Sequence, residues 1–186
     1  MLFQVFFYTW LSLNGSSDCI KPTAANEIRN SDLIATAVAF EDDQIDPARN
    51  IQLFRLNYVY KGAYEEKTIV VHKGNHTFID NQEYLLLAKQ DKLFFKIDSC
   101  SYTSPVNKAD KELIAALRKL PCFDPEETIE KRIERAKKSG QRFIPTGACF
   151  RDFVGYVCGC NGKTYGGTCE MNKEGVFQYT LGKCKQ

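Results

Sequence analysis

Histidine is scarce in this chain, long apolar runs are missing, and so are the motifs that usually announce an enzyme. Only two histidines occur in 186 residues. No Ser-His-Asp order with a nucleophile elbow, no phosphate-binding glycine loop and no dinucleotide fingerprint can be traced, so neither catalysis nor a cofactor is expected. An excess of one charge is lacking too: 25 basic and 23 acidic residues are interspersed, for a formal net charge of +2. That balance leaves no footprint for nucleic acid or a membrane surface. The apolar run inside residues 1–17 is too short to span a bilayer, so no stable membrane insertion is expected. Zinc-type spacing is absent as well. Cys158, Cys160 and Cys169 could offer thiolates, but the hairpin spacing of two to four residues is missing and neither histidine lies nearby. His72 and His76 fall at a strand end and a turn and need not face one site, so no metal is expected.

Cysteine, by contrast, is plentiful. Eight cysteines, an even number, argue for disulfides in an oxidising compartment. Residues 1–17 (Met-Leu-Phe-Gln-Val-Phe-Phe-Tyr-Thr-Trp-Leu-Ser-Leu-Asn-Gly-Ser-Ser) read as a signal peptide cleaved after Ser17; a buried first strand is the alternative. Both features predict a secreted or periplasmic protein. Cys19 lacks the small-residue lead of a lipoprotein box, so no lipid is expected on it. Asn75-His76-Thr77 forms an N-glycosylation sequon, which has meaning in a eukaryotic secretory pathway.

Period-two patterning predicts strands over 31–40 and 51–60, the second alternating Leu53, Arg55, Asn57 and Val59 against Phe54, Leu56, Tyr58 and Tyr60. Shorter β-rich runs follow at 68–72, 84–88 and 93–97, separated by Gly, Asn and Asp turns. Five strands suggest a small barrel. A helix over 108–120 sets Leu113, Ile114, Leu117 and Leu120 on one face, suited to covering the barrel, and Pro121 closes the unit. A second helix, 125–139, is predicted from Asp124 as N-cap, Pro125 in the first turn and Glu127 completing a capping box. Its narrow stripe of Ile129, Ile133 and Ala136 suits leaning on a neighbour.

The end of the chain is the most specific part. Residues 158–169 read Cys-Gly-Cys-Asn-Gly-Lys-Thr-Tyr-Gly-Gly-Thr-Cys, with Cys149 upstream and Cys184 downstream. This resembles a Kazal-type serine protease inhibitor domain, a short module that must rely on cross-links to fold. The resemblance implies Cys149–Cys169 and Cys158–Cys184 bridges and a reactive loop between Cys149 and Cys158. It sets Arg151 in the specificity position for a trypsin-like protease, makes Arg151-Asp152 the reactive bond, and gives Phe150, Phe153 and Tyr156 apolar contacts. Three departures accompany it: Asn172 stands where a cysteine is usual, Cys160 is extra, and eight residues rather than seven separate Cys149 from Cys158, with Gly155 in place of a stiffening proline. The extra cysteine implies a Cys122–Cys160 bridge.

Upstream, Cys19, Asn30-Ser31-Asp32-Leu33-Ile34, Val59-Tyr60-Lys61-Gly62, Glu83-Tyr84-Leu85-Leu86 and Asp98-Ser99-Cys100 resemble a netrin-like module of the kind found in tissue inhibitors of metalloproteinases. That likeness implies an oligosaccharide-binding-type (OB) barrel and a Cys19–Cys100 bridge. Metalloproteinase inhibition is the lesser implication, because the chelating N-terminal cysteine and its companion two residues on are not matched. The expected architecture is mainly β with small α: a five-stranded OB-like netrin-type barrel over 18–120, a linker over 121–147 that contributes Cys122, and a small disulfide-rich Kazal-like α+β domain over 148–186. Secreted serine protease inhibition is the leading expectation. A non-inhibitory extracellular binding or adhesion module, with another extracellular protein as partner, is the alternative.

Overall fold

The computed structural model describes residues 20–42, 49–62, 66–92, 94–122, 130–131, 134, 149 and 155–185. The chain is mainly β. Strands β1 (Leu33–Phe40), β2 (Ile51–Lys61), β3 (Thr68–His72), β4 (Glu83–Asp91) and β5 (Phe94–Lys96) form the first part. Their pairings run β1–β2, β2–β3, β3–β5, β5–β4 and β4–β1, which closes a five-stranded barrel. Only the β3–β5 pair is parallel. Closure leaves no free edge among these strands. A short β6 (Ser104–Pro105) pairs with β4 outside the ring.

Two helices cover one side. Helix α1 (Ala24–Asn30) starts where the Thr23 hydroxyl oxygen accepts from the Asn26 amide at 3.3 Å. Helix α2 (Lys111–Arg118) starts where Asp110 Oδ1 accepts from the Leu113 amide at 2.9 Å. It is shorter than the expected 108–120, because Val106–Lys108 forms a separate 3₁₀ turn and Ala109 is extended. Ile28, Leu113 and Leu117 of the helices pack on Ile34, Leu85 and Leu87 of β1 and β4. Hence β4 is buried over five consecutive residues: Tyr84, Leu86 and Ala88 face the barrel interior while Leu85 and Leu87 face the helices.

The strict alternation expected along β2 breaks. Thr36 pairs with Tyr58 and the next residue, Ala37, with Leu56, so Asn57 is an extra residue in the ladder. Such a bulge flips the inward face. Phe54 and Leu56 point inward before it, and Val59, rather than Tyr58, points inward after it. A second shift at Ile34/Ala35 skips Tyr60. Lys61 is thereby only 3% exposed.

The C-terminal unit consists of β7 (Val157–Gly159), β8 (Thr164–Tyr165), α3 (Thr168–Lys173) and β9 (Tyr179–Leu181). Its strand β9, which pairs with β7 on one side, pairs on the other with barrel strand β2, Tyr179 opposite Val59 and Thr180 opposite Tyr58. The sheet is therefore continuous between the two parts. So is the core: Val157, Tyr165, Met171, Val176 and Tyr179 belong to the same buried cluster as the barrel interior. Of the linker helix expected over 125–139, Glu130, Lys131 and Glu134 are helical, and the remainder lies outside the described residues.

Candidate functional site

The segment between Cys149 and Cys158 is the candidate site, and the structure defines how its two flanks are held. On the N-terminal side Cys149 is bonded to Cys169 in α3, with Cα atoms 5.8 Å apart. On the C-terminal side Cys158 is bonded to Cys184, with Cα atoms 4.8 Å apart. Cys122 is bonded to Cys160, which ties the end of α2 to the turn after β7. These are three of the expected pairs. Cys100 is also disulfide-bonded, but its expected partner, Cys19, lies outside the described residues. So do Phe150, Arg151, Asp152 and Phe153.

Hydrogen bonds add to the grip on the C-terminal flank. Val157 sits in β7 between Tyr165 of β8 and Leu181 of β9. Next to it, the Gly182 amide donates to the Tyr156 carbonyl at 2.6 Å. The Tyr156 ring is half exposed, and Lys183 Nζ lies 4.4 Å from its centroid. The Cys184 amide donates to Thr164 Oγ1 at 3.0 Å, joining the last cysteine to β8.

Beneath this flank lies the turn Cys160-Asn161-Gly162-Lys163. Asn161 Oδ1 accepts from the Lys163 amide at 3.2 Å, and its Nδ2 donates to the Tyr165 hydroxyl at 2.8 Å. That hydroxyl donates in turn to Glu174 Oε2 at 3.1 Å, and Lys163 Nζ donates to both Glu174 oxygens at 2.6 and 2.8 Å. Burial holds the Tyr165 hydroxyl above its ordinary pKa, so it keeps the proton it donates. Gly159 admits no larger residue, because a Cβ there would lie 2.7 Å from Asn161 Oδ1 and 2.9 Å from the Tyr165 ring. Asn172, at the position where cysteine was expected, is buried on α3 at 3% exposure.

Gln178 fastens the unit to the barrel. Its Oε1 accepts from the Tyr58 hydroxyl at 2.8 Å, its Nε2 donates to the Leu120 carbonyl at 2.9 Å, and its own carbonyl accepts from the Cys160 amide at 2.9 Å. Burial, with Tyr60 close by, pushes the Tyr58 hydroxyl up to about 12. The candidate loop is thus anchored to a unit that is itself built into the barrel sheet.

Residues of two of the barrel motifs, Asp32 with Lys61 and Gly62, meet at one corner beside α1. Lys61 Nζ donates to the carbonyls of Ile28 (2.7 Å) and Arg29 (3.0 Å) at the C-terminal end of α1. Burial lowers its pKa to about 8, against an opposing pull from Asp32. Gly62 has φ 108, and a Cβ on it would stand 2.8 Å from the Asp32 carbonyl oxygen. Asp32 Oδ2 accepts from the Gln90 amide at 2.9 Å. The histidines have separate surroundings: His72 packs edge-on to Phe94, and His76 Nε2 meets the Asp98 carbonyl at 3.0 Å. Among the described residues no group of three or more His, Cys, Asp or Glu is placed to hold a metal ion, and no helix is long and apolar enough to cross a membrane. Protein-family models and curated proteins give no match to the chain.

Proposed function

We propose that this chain is a secreted inhibitor of trypsin-like serine proteases, acting through a substrate-like loop of the Kazal type. The observation that carries the reading is the double cross-link at the loop's two flanks, Cys149–Cys169 and Cys158–Cys184. Arg151 enters the protease's specificity pocket, where a buried carboxylate accepts a bidentate guanidinium. The protease serine attacks the Arg151 carbonyl, and the acyl-enzyme forms as the bond to the Asp152 nitrogen breaks. In an ordinary substrate the amine then departs. Here one end is tethered to α3 through Cys149–Cys169 and the other to β7 and Cys184 of the same unit, so the Asp152 amine stays in place and reverses the acylation. A loop held in the bound geometry also loses little entropy on docking, which keeps the complex tight. Phe150, Phe153 and the exposed Tyr156 supply apolar contact around the bond.

A non-inhibitory extracellular binding module is the second reading. It is favoured by the eight-residue spacing between Cys149 and Cys158 and by Asn172, which leaves α3 with one cysteine, Cys169. Titration of trypsin with the oxidised protein decides between the two. Inhibition at one-to-one stoichiometry that is lost in Arg151→Ala supports the inhibitor; no inhibition across several serine proteases supports the binding module.

A further inference from the structure

We propose that Asn75 is a glycosylation site carrying an N-linked oligosaccharide. The inference shares with the proposed function only passage through a secretory compartment, and it stands whether or not the loop inhibits a protease. Asn75-His76-Thr77 meets the acceptor pattern, with a residue other than proline between Asn and Thr. The fold then presents it. The His76 amide donates to the Lys73 carbonyl at 3.0 Å, closing a four-residue turn in which Gly74 has φ 57. Asn75 is the second central residue of that turn, and both it and Thr77 are exposed.

Bonds that leave the Asn75 side chain unused fasten the turn. The Lys73 amide donates to the Asn50 carbonyl at 3.0 Å, and Asn50 Nδ2 donates to the Gly74 carbonyl at 3.3 Å. On the other side His76 meets the Asp98 carbonyl and stacks on Phe78. A hollow of about 320 Å³ with Lys89, Lys96 and Asp98 in its wall opens beside Asn75, leaving room for a first sugar ring. Position also favours the site. The turn follows β3, whose His72 pairs with Ile51, while the seam to the C-terminal unit starts at Tyr58 on the same strand. The two stand seven positions apart on the strand, roughly 23 Å at about 3.3 Å per residue. A glycan on Asn75 leaves the seam and the loop flanks clear.

The donor is a polyprenyl-pyrophosphate-linked oligosaccharide. In the transfer, the bond from the sugar C1 to the pyrophosphate oxygen breaks, a bond from C1 to Asn75 Nδ2 forms, the lipid pyrophosphate leaves, and one amide proton passes to base. The chain's other sequon, Asn14-Gly15-Ser16, falls within the segment read as a leader.

Expressing the full chain in a secreting eukaryotic cell tests this, with mass measured on denatured cell and medium fractions before and after an N-glycan-releasing amidase. Folding of the variants then has no bearing on the readout. The expected result is a mass drop for the wild type and for Thr77→Ser, with Asn75→Gln and Thr77→Ala already at the lower mass. A wild type unchanged by the amidase in both fractions overturns the proposal. A drop that persists in Asn75→Gln overturns it equally, since the sugar then sits elsewhere.

Discussion

Replacing Tyr179 by alanine is the sharpest probe of whether the barrel and the C-terminal unit are one folding unit. Tyr179 is fully buried, pairs with Val59 of the barrel on one side and with Gly159 of β7 on the other, and belongs to the cluster that runs through both parts. Truncating a buried aromatic to alanine destabilises by about 3–5 kcal/mol, through lost transfer energy and the cavity left behind. For a chain of this size each kcal/mol moves Tm by roughly 2–4 °C, so a drop of roughly 6–20 °C is expected. The assay is near-UV circular dichroism on the oxidised protein, joined to amide exchange at Val71 and Phe95. These two residues lie on the barrel strands β3 and β5, away from the seam. A single transition that moves down, with faster exchange at both amides, is the predicted result. Two separated transitions, with exchange at Val71 and Phe95 unchanged, would refute the reasoning.

Three further outcomes follow from the same structure. The buried Lys61 has a pKa of about 8 against an ordinary 10.5, so the unfolded chain binds more protons between those values. Stability should therefore rise with pH across that window by up to ~3 kcal/mol and be flat below about pH 8, where both states carry the proton; chemical denaturation over pH 7–10.5 should show the rise, and Lys61→Met should abolish it. Gly62→Ala should destabilise by about 1–3 kcal/mol, because it combines a left-handed backbone with a 2.8 Å approach to the Asp32 carbonyl; a denaturation midpoint equal to wild type would contradict this. Peptide mapping of the non-reduced protein should recover Cys122–Cys160, Cys149–Cys169 and Cys158–Cys184, and a Cys122–Cys149 peptide would overturn the framework.

Much of the barrel was legible because its signals are local. The runs at 51–60, 68–72 and 84–88 correspond to β2, β3 and β4, and the apolar face with Leu113 and Leu117 is the buried face of α2. The disulfide pairs within the C-terminal unit were implied by the resemblance to Kazal domains, not by patterning of apolar residues. What stayed hidden depends on contacts distant in sequence. Nothing near Asn57 announces a bulge, since the extra residue is defined only against β1, and period two therefore carried Tyr58 to the wrong face. Lys61 looks like a strand-ending lysine in sequence, and only the placement of α1 makes it a buried donor. Helix α1 itself spans seven residues with one buried aliphatic, Ile28, too little periodicity to read, although Thr23 after Pro22 was a usable cap signal. The pairing of β9 with β2, which joins the candidate loop's scaffold to the barrel, links residues about 120 apart in sequence, and no local feature encodes it.

Following the Arg151–Asp152 bond by mass spectrometry, during prolonged incubation with catalytic trypsin, tests the central claim most directly. The doubly anchored loop predicts slow cleavage, with the cut chain still held by Cys149–Cys169 and Cys158–Cys184 and still inhibiting. Rapid cleavage after Arg151 with trypsin left fully active would contradict it.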